Sequence, residues 1–296
     1  MIATPVPGTP MPAHTRRRSA RTLAAVLVAS VVGATIGFAH DFWIIPDIFA
    51  FGDDSVLHIN GRQGGTKFPT GTAVPADRVI DARIIGAASS VKITDLAVDG
   101  ASLRLHQKPD KAGQYLIVVG LSTRDFRETP AGVVRFLKAE GGAAEAARLE
   151  REHTLQGLDS VMFTAASYAQ TIVQVGKGGP RSFGKPAGLR LEFSPLNDPS
   201  SLRVGDTLHV KMLGNGTPIA NIGIEIATGL DSAAAPDAAV TRVAFDADAK
   251  GVVHVPLTKA GPVMMRSAFA SRKQGGSPKD WDVSRTTYVF NVAARH

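Results

Sequence analysis

The chain has 296 residues, with 33 Lys and Arg against 26 Asp and Glu, a formal net charge of +7, and no cysteine. Without thiols it cannot form a disulfide, a zinc–thiolate site or a cysteine nucleophile. No basic stripe is interleaved with aromatics, so nucleic acid is not an expected partner.

Arg16, Arg17, Arg18 and Arg21 precede an apolar run over residues 23–36, and the small residues Gly37 and Ala39 follow it. This is the layout of an export signal, expected to be cut after Ala39. The run of roughly 14 residues is short for a membrane span, which needs about 20. An uncut signal serving as an anchor is the alternative. The arginine run after Thr15 resembles a twin-arginine signal, but Ser19 and Ala20 stand where a bulky apolar residue is usual, so both export routes stay open. Residues 1–39 carry four arginines and no acid, so their removal leaves 257 residues with a net charge of +3. The expected location is the periplasm, with no membrane span after cleavage.

Short alternating segments follow, at residues 55–60, 78–85, 91–98, 101–106 and 113–120, with Asp99-Gly100 as a hairpin-type turn. Residues 131–156 change to Ala, Glu, Leu, Arg and Lys; Val133, Phe136, Leu137 and Leu149 take helical spacing, interrupted at Gly141-Gly142. Residues 161–175 read as a strand returning to the sheet. The glycine- and proline-rich run 176–188 reads as a linker. Further strands are expected at 189–193, 207–213, 219–227, 242–247, 251–257, 262–270 and 286–292. The expected fold is mainly β: an Ig-like β-sandwich over residues 40–180 with a helical insertion near 131–156, then a second β-sandwich over 186–296.

Cleavage after Ala39 makes His40 the first residue of the exported chain. Its α-amine, titrating near ~7.7–8.0, and its ring Nδ1 can chelate one metal ion. Such a chelate needs a further donor. No histidine pair has the local spacing of a ready-made site, so donors have to meet through the fold. His58, on an early strand, is the first choice as partner, and His106, at a strand end, the next. His153 reads as a solvated helix residue, and His209 and His254, each between apolar neighbours, as facing water. Met264 and Met265, adjacent on a strand, point to opposite faces; Met162 reads as core. There is no Gly-x-Ser-x-Gly elbow, phosphate-binding loop or His-Glu-x-x-His motif.

The run His40-Asp41-Phe42-Trp43-Ile44-Ile45-Pro46 resembles the start of a family of exported bacterial proteins of unassigned function, often labelled nickel-uptake components or NikM-like periplasmic proteins. Phe136-Leu137-Lys138-Ala139-Glu140-Gly141 is similar to its helical insertion. Leu191-Glu192-Phe193-Ser194-Pro195-Leu196-Asn197-Asp198-Pro199, with Val204-Gly205-Asp206, resembles its most typical stretch. Residues 216–220 and 246–251 resemble a transthyretin-like or carboxypeptidase-regulatory-like β-sandwich. The segment after Asp280-Trp281 departs from the family, with Val283-Ser284-Arg285 where two aromatics are usual.

The resemblance implies an exported, two-part β protein that handles a transition metal. The leading expectation is a periplasmic accessory protein that binds one Ni, Co or Cu ion for uptake or delivery, with His40, His58 and His106 as metal donors and no organic cofactor. Its expected partners are the metal and a membrane metal-uptake system. A copper histidine-brace oxidative enzyme and a metal-free module that binds protein or polysaccharide are the alternatives, and binding is favoured over catalysis.

Overall fold

In chain order the computed structural model begins with β1 (Asp41–Pro46), β2 (Ala50–Phe51), β3 (Leu57–Gly64), β4 (Thr72–Ala73), β5 (Val79–Ile85) and β6 (Ser90–Lys92). β7 (Asp95–Asp99), β8 (Ser102–Gln107) and the long β9 (Gly113–Glu128) lead to α1 (Pro130–Ala139) and α2 (Ala143–Arg151). Then come β10 (Val161–Val175), β11 (Leu191–Pro195), β12 (Thr207–Gly214), β13 (Thr217–Pro218) and β14 (Gly223–Thr228). β15 (Arg242–Asp246), β16 (Val252–Pro256), β17 (Gly261–Arg272) and β18 (Asp280–Val292) complete the chain. The structure describes residues 41–65, 68–228 and 242–295. His40 and the expected signal lie outside them.

The strands form three layers. The central sheet runs β15-β14-β17-β18-β10-β9-β5-β6, with β2 beside β10. One outer sheet runs β1-β3-β8-β7, with β4 on β3; the other runs β11-β12-β13, with β16 on β12. The inner strands of the central sheet bury both faces, while its edge strands β6 and β15 stay largely exposed. Ile117, Val119 and Leu121 of β9 join Phe42, Ile44, Leu57, Ile59, Leu103 and Leu105 in one core. Leu116 and Val118 of the same strand join Leu191, Phe193, Leu208, Val210, Tyr288 and Phe290 in the other. In the outer sheets β12 and β16 alternate between a buried and a more exposed face, whereas β1 and β11 are buried along nearly their whole length.

Strands from both expected sandwiches share the central sheet. β10 pairs in parallel with β18 from Met162↔Asp280 to Thr171↔Val289, so residues before and after the 176–188 run belong to one continuous layer. The expected strand at 91–98 is two strands on different sheets, because Ile93 turns inward to full burial and its N–H reaches the Ala82 carbonyl at 2.8 Å. Met162 is not core: its face of β10 lies beyond the packed region and it is 39% exposed. Met264 and Met265 do enter different cores.

The helical insertion begins where the Thr129 hydroxyl accepts from the Gly132 N–H at 3.1 Å, with Pro130 at the first helical position. Gly141, with φ +81°, ends α1 in the left-handed region. Val133, Leu137, Ala146 and Leu149 pack on Phe163, Ala165, Ala268, Ala270, Trp281 and Val283. The helices therefore cover the central-sheet face that the β1-β3 sheet covers further along the same strands. No helix among the described residues is long and apolar enough to cross a membrane.

Candidate metal centre

β3 and β8 are antiparallel, and their register sets His58 directly opposite His106. The neighbours Leu57, Ile59 and Leu105 are buried, so the period of two sends both imidazoles to the outer face. The ring centroids are 4.9 Å apart and the planes cross at 76°. β7 continues the row: Asp95 pairs with His106, and its Oδ2 lies 3.6 Å from His106 Nδ1. That distance exceeds a direct hydrogen bond. Among the described residues no group of three His, Asp or Glu side chains converges as a metal-binding set. The row thus offers two imidazole donors, with water to complete the coordination of an ion.

Asp41 is at the other end of this pairing. It sits opposite Gly64, whereas His58 lies six residues back along β3, about 20 Å at strand spacing. Asp47, near the His58 end, donates its N–H to the His58 carbonyl at 3.0 Å.

The Asp41 end enters a charged seam between the outer sheet and the helical insertion. Asp41 is buried and receives Arg266 Nη1 at 2.7 Å and Arg242 Nη2 at 2.8 Å. Arg266 also donates to Glu225 Oε2 at 2.6 Å and to the Ala139 carbonyl, at the end of α1, at 2.8 Å. Arg242 adds the Gly65 carbonyl. Glu140 is buried against Arg285, Oε1 to Nη1 at 2.5 Å, an ion pair whose angles miss those of a hydrogen bond. Burial pushes the Glu140 carboxyl above its ordinary value, Arg285 opposes this, and the Asp41 charge adds to the rise. Three carboxylates meet three guanidiniums here, and the cavity among Asp41, Glu140, Arg266 and Arg285 measures about 10 Å³. It has room for about one water. With its acids engaged by arginines, the seam is a structural lock.

The family profile of DUF4198, a domain of unknown function, matches residues 37–270. The chain belongs to this family. No curated protein matches it. Among solved structures, this DUF4198 chain is similar to trypsin-activated alpha-2-macroglobulin from Escherichia coli at 12% identity and a TM-score of 0.21, over 86% of this chain and 16% of that one. Murine CEACAM1b matches at 8% identity and a TM-score of 0.20, over 86% of this chain and 100% of that one. A DUF4785 family protein from Legionella pneumophila matches at 8% identity and a TM-score of 0.22, over 75% of this chain and 50% of that one. The chain spans about a sixth of the length of the bacterial macroglobulin.

Of the sequence-expected donors in the DUF4198 chain, His58 and His106 come together, and His40 lies outside the described residues. His153 is exposed just past α2 with φ +51°. His209 and His254 face outward on the other outer sheet, as expected, but as neighbours. Sequence reasoning missed the seam. Its signal was Arg266 within the apolar run of β17, a charge in a strand otherwise buried on both faces.

Proposed function

We propose that this DUF4198 protein binds a divalent transition ion, Ni, Co or Cu, on the His58–His106 pair, as a periplasmic accessory for metal uptake or delivery. The observation that carries the reading is the cross-strand placement of the two imidazoles on a solvent-facing row, with the Asp95 carboxylate beside His106. Imidazole donors suit these ions, and the Asp95 carboxylate adds negative charge beside the pair. The resemblance to NikM-like nickel-uptake proteins and the export-signal pattern over residues 1–39 support the same assignment and the periplasmic location.

Calorimetric titration of Ni(II), Co(II) and Cu(II) into the tag-free protein tests this, beside His58→Thr, His106→Thr and the double variant. Threonine keeps a good strand former on the exposed face. Each single change is expected to weaken one equivalent of bound ion at least tenfold, and the double variant to lose that equivalent; unchanged isotherms would overturn the reading.

A further inference from the structure

β12 and β16 place a second histidine pair on the opposite outer layer. His209 stands directly opposite His254 in the antiparallel register. Leu208, Val210, Val253 and Val255 are buried at 0–1% exposure, which fixes both strands and turns both imidazoles to solvent. The backbone is further pinned where His209 N–H donates to Asn197 Oδ1 at 2.8 Å. The rings lie 4.8 Å apart, crossed at 77°, like the first pair. Here, however, the two Nδ1 atoms converge to 2.6 Å.

Two lone pairs cannot face each other at that distance, so a proton lies between them. One ring donates Nδ1–H, and the other accepts at Nδ1 and carries its own proton on Nε2. We propose that the His209–His254 pair is a second binding site for a divalent transition ion, with the two Nδ1 atoms as donors and the ion taking the place of the shared proton. Metal–nitrogen bonds of 2.0–2.1 Å at square or tetrahedral angles need the nitrogens about 2.9–3.3 Å apart. The observed separation is short of this by a few tenths of an ångström, which small rotations of solvent-facing rings supply. The donor ring moves its proton from Nδ1 to Nε2 through water, so the neutral pair takes the ion with no net loss of protons.

The surroundings carry both signs. The turn before β16 brings the Asp248 carboxylate near His254; backbone N–H groups of Lys250 and Val252, at 2.8 and 2.9 Å, hold it ionised. Lys211, two residues along the His209 face, opposes a cation. With two imidazoles and otherwise water ligands, the ion expected to bind most tightly is Cu(II), at the top of the stability order. The two histidine pairs lie on sheets covering opposite faces of the central layer and share no residue, so they bind independently of each other.

The test is Cu(II) titration of the tag-free full chain, followed by the imidazole Hε1 resonances in NMR. Sub-stoichiometric Cu(II) is expected to broaden the His209 and His254 signals together, in the native chain and in the His58→Thr/His106→Thr variant alike. In His209→Thr the His254 signal is expected to stay sharp at the same Cu(II) level, and the reverse in His254→Thr. Sharp signals from both in the native chain would overturn the proposal, as would His254 broadening unchanged in His209→Thr. Because the readout is specific to each residue, failure at this pair is distinct from failure at His58 and His106.

Discussion

Glu140 shows how one buried side chain links stability to pH. Its carboxyl lies between the end of α1 and Arg285, and burial raises its folded pKa above the ordinary 4.5. Between those two values the native state binds the proton more tightly than the unfolded chain does. This contribution to stability is therefore fully present below about pH 4.5 and is lost as pH rises through the folded value. Glu140→Gln, which mimics the protonated form, removes this slope. Urea midpoints from pH 4 to 7 are expected to fall for the native chain relative to the glutamine variant; parallel curves would show that Glu140 titrates alike in both states. In the sequence Glu140 resembles any polar residue at a helix end, since its burial comes from β1, β10, β17 and β18, none of them adjacent to it in the chain. The histidines were more legible: buried neighbours one residue to either side mark an outward-facing strand position. Which histidine faces which is a matter of register, which a single strand does not encode.

At the scale of elements, the seam joins parts that local patterning kept separate. The periodicities of α1, α2 and β10 were readable, because each buries a defined stripe or a long continuous run. The joint between the helical insertion and β1 was not, because it depends on Arg266 reaching Asp41, Glu225 and the Ala139 carbonyl at once. Arg266→Met takes one cationic partner from each of two carboxylates, Asp41 and Glu225, at a seam with room for about one water. Breaking a buried pair from one side costs about 3–5 kcal/mol, and that loss is expected in urea unfolding of the variant. A loss below 1 kcal/mol would mean that solvent or another cation replaces the guanidinium. The expected strand at 91–98 failed for a similar reason: alternation continued through Ile93, but the chain changed sheets there.

Across the whole molecule, a central sheet buried on both faces holds two outer sheets whose exposed sides each carry one cross-strand histidine pair. The mainly β composition was plain in the sequence. The shared central layer was not, because the parallel pairing of β10 with β18 joins segments separated by more than a hundred residues. This layering fixes the outer sheets, so the separation of each histidine pair is set by backbone register and not by flexible loops. Rigid placement of donors is what a selective ion site requires. The most direct test is anomalous scattering at the nickel edge from crystals of the protein grown with Ni(II). A peak is expected within coordination distance of His58 and His106. Nickel bound only elsewhere, with this pair vacant, would contradict the proposed site.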